Sequence, residues 1–184
     1  MTSTLKIDTV TTLDGTGNIT FSRPIAGDGS NLTGVGKVVQ VVNSSSSAVA
    51  TGTTVTLVDD SIPQKTEGDE YMTLAITPTH ASNKLLIVFS AGSFSTTALG
   101  TFSVALFQDT TANAIAGTLT TIEQNYDRSI ELFHYMAAGT TSATTFKIRA
   151  GNINSNTTTF NGRGGGRYLG GVMSSTLTIM EILV

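Results

Sequence analysis

TFSVALFQD, residues 101–109, is the stretch on which the fold turns. Along an extended backbone Phe102, Val104 and Leu106 point one way, and Ser103, Ala105 and Phe107 point the other. That period of two belongs to a strand, because successive side chains leave a pleated backbone on opposite faces. Runs of the same kind recur outward from it: KVVQVVN (37–43), TTVTLVD (53–59), YMTLAIT (71–77) and NKLLIVFSAG (83–92) before it, and IELFHYMAA (130–138), TTFKIRAG (144–151) and SSTLTIMEILV (174–184) after it. The connectors carry Gly, Ser, Asn, Thr or Pro, as strand connections do. A helical period is nowhere sustained over three turns. TLTTIEQNYDRSIELF (118–133) comes nearest, with Ile122, Tyr126 and Ile130 at a spacing of four, and reads as loop plus strand, with a short helix as the alternative. About eight strands at this spacing predict an all-β head over residues 37–184, a β-sandwich of jelly-roll type. KLLIVFSAG is apolar on both faces, so one central strand is expected to be covered on both sides, the second cover coming from a neighbouring subunit.

Residues 1–36 follow another rule. Apolar residues recur singly at Leu5, Ile7, Val10, Leu13, Ile19, Phe21, Ile25, Leu32 and Val35, broken by the turn signals LDGTGN, RP and GDGSN. No run here closes a core of its own. The segment is expected to become ordered on another surface, with Leu5, Ile7, Ile19, Phe21, Ile25 and Leu32 as the anchoring side chains. Three copies wound about one axis would bury such sparse residues against each other. Fully extended, the leader spans at most roughly 120 Å. That suffices to clasp a lattice of subunits and is too short for a long fibre.

Composition narrows the function classes. Hydrophobic residues make up 39% of the 184 and charged residues 12%, so polarity rests on Thr, Ser, Asn and Gly. A net charge of −3 argues against a general nucleic-acid binder, which needs an excess of Lys and Arg. The absence of cysteine excludes disulfides and thiolate metal sites. MTSTLKIDTV lacks the apolar core of a signal peptide, and no stretch is long enough to span a bilayer as a helix. The expectation is a soluble protein made in the cytoplasm, with no membrane insertion.

Residue types able to carry chemistry are scattered. His80 lies in the turn TPTHASNK, and His134 in ELFHYMAA reads as a core or interface residue. The acid pairs Asp59–Asp60 and Asp69–Glu70 flank strand-like runs, where neighbouring side chains diverge. GDGSN (27–31) lacks the repeated acids and closing glutamate of a calcium loop. NGRGGGRYLGG (161–171) lacks the strand-to-helix setting of a phosphate cradle. It is read instead as an exposed loop in which Arg163, Arg167 and Tyr168 are candidates for receptor contact, since Arg and Tyr dominate contact energies. No catalytic residue, cofactor or metal ion is expected.

STLKIDTVTTLDGTGNITF and PIAGDGSNLTGVGKVVQV, with ITPTHASNKLLIVFSAG, ATTFKIRAG and STLTIMEI further on, resemble virion appendage proteins of tailed phages, those of cyanophages in particular. The resemblance covers most of the chain in order. It implies a homotrimer at the virion surface, an N-terminal segment docked on the major capsid protein or another virion protein, and a projecting β-sandwich head. Within that family a capsid cement or decoration protein fits the short leader best. The alternative is a short tail fibre or receptor-binding tip that recognises a host surface glycan. The family carries no catalytic residues, and this chain has neither the shaft repeats nor the adapter domain of long fibres.

Overall fold

The computed structural model describes residues 37–184, which run in chain order through fourteen strands and a single short 3-10 turn. The strands are β1 (Val38–Ser46), β2 (Ala50–Gly52), β3 (Asp69–Ile76), β4 (Lys84–Ser90), β5 (Phe94–Thr96), β6 (Gly100–Gln108) and β7 (Ala116–Ile122). They continue as β8 (Asp127–Arg128), β9 (Glu131–Ala137), β10 (Thr144–Asn152), β11 (Thr158–Phe160), β12 (Gly162–Arg163), β13 (Gly166–Arg167) and β14 (Ser175–Ile182). The residues expected to anchor the chain, Leu5, Ile7, Ile19, Phe21, Ile25 and Leu32, and the GDGSN turn lie outside the described residues.

Two four-stranded antiparallel sheets, β1-β14-β4-β9 and β3-β10-β6-β7, enclose the core. Counting only the eight long strands from first to eighth, the orders are 1-8-3-6 and 2-7-4-5. Those two interlocked Greek keys are the jelly roll. The inward rows are the apolar phases of the alternating runs: Leu85, Ile87 and Phe89 from β4, Leu177 and Ile179 from β14, Phe102, Val104 and Leu106 from β6, Phe146 and Ile148 from β10. A third sheet, β2-β11-β5-β8, prolongs the first at its far end, with β11 standing where β14 stands in the main sheet. Beneath it Phe94 gathers Tyr71, Phe102 and Phe160 at ring-centroid distances of 5.3, 4.9 and 5.1 Å. A bulge puts Tyr71 in this cluster, because Met72 pairs with Ile148 while Glu70 pairs with the next residue, Arg149.

Residues 53–59, expected as a strand, form none. They belong to a strap, residues 53–68, that crosses the outer side of the β3-β10-β6-β7 sheet. Two backbone donors of the strap go to side chains, Thr54 N–H to Asp69 Oδ2 at 2.9 Å and Leu57 N–H to Glu67 Oε2 at 2.8 Å, while Thr56 N–H between them reaches the Asn152 carbonyl at 3.1 Å. Arg149 fastens it, donating from Nε to the Glu67 carbonyl and from Nη2 to that of Gly68. Two glycines permit the close approach. A Cβ on Gly151 would stand 2.5 Å from the Thr54 carbonyl oxygen, and one on Gly68 would stand 2.8 Å from the Ala150 carbonyl. Ser103, Ala105 and Phe107 are thereby buried on the outward side of β6. In place of residues 53–59 the set of eight long strands includes β7, in a Thr-rich segment whose outward Gly117, Leu119 and Thr121 are all exposed.

The two ends of the sandwich differ. At one end the first described residue, Lys37, accepts a hydrogen bond from Leu183 N–H at 2.7 Å. Beside it Glu181, wholly buried, receives five donors: Gln40 Nε2, the Thr79 N–H and hydroxyl, the His80 N–H and Asn83 Nδ2. Burial pushes its pKa up, but the hydrogen bonds from Gln40, Asn83 and Thr79 outweigh that and hold it down to about 2. The carboxylate thus staples the turn at residues 77–83 to β1 and β14. The other end, about 30 Å away by the length of nine-residue β1, carries the third sheet and the β12–β13 hairpin.

Candidate functional site

Local geometry at that far end begins with Asn161, buried and held at φ 55° between β11 and β12. Its Nδ2 donates to the Ser46 carbonyl at 2.8 Å and the Ala48 carbonyl at 3.2 Å, and its Oδ1 accepts from the Ser175 hydroxyl at 2.7 Å. The Ser175 hydroxyl in turn accepts from Gly92 N–H at 2.9 Å. This network satisfies backbone groups where the first sheet gives way to the third. From that base β12 and β13 project and turn through Gly164 and Gly165, at φ 57° and 79°.

Arg163 reaches back from the hairpin to Asp127 on β8, with Nε donating to Oδ1 at 3.3 Å and Nη2 paired to Oδ2. Its guanidinium lies 5.6 Å from the centre of the Tyr168 ring. The hydrogen bond that Arg163 donates to Asp127 raises the Arg163 pKa further above its already high value. Around this pair stand exposed residues: Tyr126 at 59%, Leu169 at 71% and Val172 at 82%. Asn125 (φ 61°) and Leu169 (φ 50°) are left-handed non-glycine residues, a strained backbone of the sort that collects at functional surfaces. Arg163, Arg167 and Tyr168 therefore share one projecting loop, and Arg163 and Tyr168 touch. Tyr126 and Asp127, which sequence reasoning did not select, join them through the β5–β8 pairing of Ser95 with Asp127. The available signal was an Asn-Tyr-Asp turn immediately before a strand.

The other candidates do not converge. His80 is exposed at the Glu181 end, while His134 lies half-buried on β9 opposite Ile87 of β4. Asp59 accepts from the Ser61 N–H and hydroxyl, which lowers its pKa, beside a shallow depression of about 430 Å³ that Asp60, Ile62 and Ala114 also line. Asp69 holds Thr54, and Glu70 pairs with Lys147 at 3.2 Å and Arg149 at 3.7 Å, so that acid pair splits. Among the described residues no three potential metal ligands cluster, and no helix is long and apolar enough to cross a membrane. The tip offers planar cationic and aromatic groups for recognition.

No protein-family model matches the chain, and no curated protein matches it. Among solved structures it is similar to that of the infectious bursal disease virus Gx strain, with 12% identity and a TM-score of 0.36 over 79% of this chain and 37% of that one. It is similar to the VP2 subviral particle of infectious bursal disease virus, with 13% identity and a TM-score of 0.33 over 79% and 38%. The enzymatically active domain of tailspike protein 4 of bacteriophage CBA120 is a third, with 15% identity and a TM-score of 0.27 over 78% and 19%. The chain thus spans well under half the length of each of these viral proteins. Likeness of this degree specifies neither a family nor an activity.

Proposed function

We propose that this is a structural, non-catalytic protein of the phage virion surface, a homotrimeric capsid decoration or cement protein held on the major capsid protein by residues 1–36. The observation that carries the reading is the polarity of the head. The leader joins at Lys37, beside the Glu181 staple, and the strained, exposed loops project from the opposite end. A rigid jelly roll anchored at one end and displaying loops at the other suits an appendage. Jelly rolls recur in viral capsid and lectin domains, which accords with the reading by analogy alone. Deleting residues 2–35 and incubating the head with virions stripped of the native protein tests the anchor: the intact chain binds and the truncated head does not. Equal binding by both would end the proposal. Quantitative mass spectrometry of virions then tests the site, with a copy number near that of the major capsid protein expected.

A second reading, a short tail fibre or receptor-binding tip that recognises a host surface glycan, is favoured by Arg163 lying against Tyr168 with Tyr126 exposed nearby. A copy number near that of tail subunits, with glycan binding lost in Tyr168→Ala, would favour it over decoration.

A further inference from the structure

We infer that the outer face of the β1-β14-β4-β9 sheet is the surface on which copies of this chain pack against one another. The register aligns its outward side chains in rows across four strands. One row is Val41, Met180, Leu86 and Tyr135, and the next contains Val88 and Phe133 beside Asn43 and Thr178. Val41, Phe133 and Tyr135 are exposed at 54%, 61% and 56%. The facing sheet has its own cover in the strap and carries Lys147, Arg149 and Glu70 on its outer side. The first sheet has no such cover among the described residues, and these two central rows hold no charge.

Three considerations identify the occupant as a second copy. Four strands about 4.8 Å apart and four outward rows about 6.8 Å apart give a flat footprint on the order of 500 Å². Three such faces meeting about one axis bury on the order of 1,500 Å² in all, above the roughly 1,000 Å² that a specific assembly needs. The charged residues of the face, Lys84 and Glu131, stand in its two outermost rows and are of opposite sign, so copies bring no net repulsion into its middle. An anionic lipid surface would call for a basic rim, and Lys84 is the one cation in these rows. The inference takes its threefold stoichiometry from the homotrimer reading and needs no virion, so the two fail separately.

Sedimentation equilibrium of the full chain at micromolar concentration tests it. The native protein is expected as a trimer, and Phe133→Lys with Tyr135→Lys is expected to weaken association by at least roughly 100-fold. Both sites are exposed, so a far-ultraviolet spectrum like that of the native protein should accompany the loss. Leu119→Lys, equally exposed at 61% on the other sheet, should leave the trimer intact. Because the chain has no cysteine, Val88→Cys accepts a single pyrene label, and excimer emission is expected when copies meet at this face. A native monomer or dimer, a double variant that remains trimeric, or a chain that associates only once residues 2–35 are deleted would each overturn the inference, the last by identifying the leader as the cover.

Discussion

Asn83 Nδ2 stands 2.6 Å from Glu181 Oε1, and both residues are almost completely excluded from solvent. A buried carboxylate without a cationic partner survives only when neutral donors surround it. This one closes the sandwich end from which the chain enters the head. Its site was legible as a turn, TPTHASNK, and as an alternating strand ending in MEILV; that the two would meet was not.

Acid should loosen this staple. The folded-state pKa of about 2 lies below the ordinary 4.5, so the contribution to stability is complete above the unfolded value and is lost as pH falls from about 4.5 towards 2. The magnitude is on the order of 3 kcal/mol. Urea denaturation at pH 7 and at pH 3 measures the larger part of it, about 2 kcal/mol. In Glu181→Gln stability at pH 7 should fall and the difference between the two pH values should shrink; an unchanged difference would assign the acid sensitivity elsewhere.

Asn161 should matter through its side chain and its backbone separately. Asn161→Ala removes the bonds to the Ser46 and Ala48 carbonyls and leaves alanine at φ 55°. A loss of roughly 2–4 kcal/mol is expected. Asn161→Gly loses the same bonds but tolerates the left-handed backbone, so it should be about 1 kcal/mol less damaging. Denaturant midpoints that rank glycine below alanine would contradict this account.

In the aromatic cluster, size should count and the hydroxyl should not. Phe94→Ala, at a wholly buried ring, should cost about 3–5 kcal/mol. Tyr71 has a buried hydroxyl with no protein partner among the described residues, and burial followed by the charge of Asp69 raises its pKa. Tyr71→Phe should therefore be neutral or slightly stabilising in thermal melts. A loss above roughly 1 kcal/mol would mean that the hydroxyl is satisfied after all.

The Arg163–Asp127 pair, partly exposed on both sides, should contribute little to stability. A double-mutant cycle to alanine should give a coupling too small to resolve in denaturation midpoints. Variants of the tip then keep the fold, which makes them clean probes of recognition. A larger coupling would make the pair a structural element of the third sheet.

Much of the sandwich could be read in advance because alternation reports burial directly. KLLIVFS and STLTIMEI place every second residue in the core, as their inward rows confirm. TTVTLVD misled because threonine and valine suit any extended backbone, and extension alone does not say whether a segment joins an edge or crosses a face. β7 was obscured for the converse reason: Gly117 and Leu119 face outward without cover, which blurs the period. Arg163, Arg167 and Tyr168 could be chosen by residue type and glycine content. Tyr126 and Asp127 depend on a pairing between strands more than thirty residues apart in the chain, and no local pattern encodes that.

The Lys37 end also has a mechanical meaning. Tension applied between residues 37 and the far-end loops runs lengthwise along β1, whose ladder to β14 extends from Val38–Ile182 to Ser46–Ser175. Antiparallel hydrogen bonds lie across the strands, so a lengthwise pull loads the whole ladder in shear at once instead of unzipping it bond by bond. An object dragged at its loops while tethered at residue 37 would therefore resist with its strongest geometry.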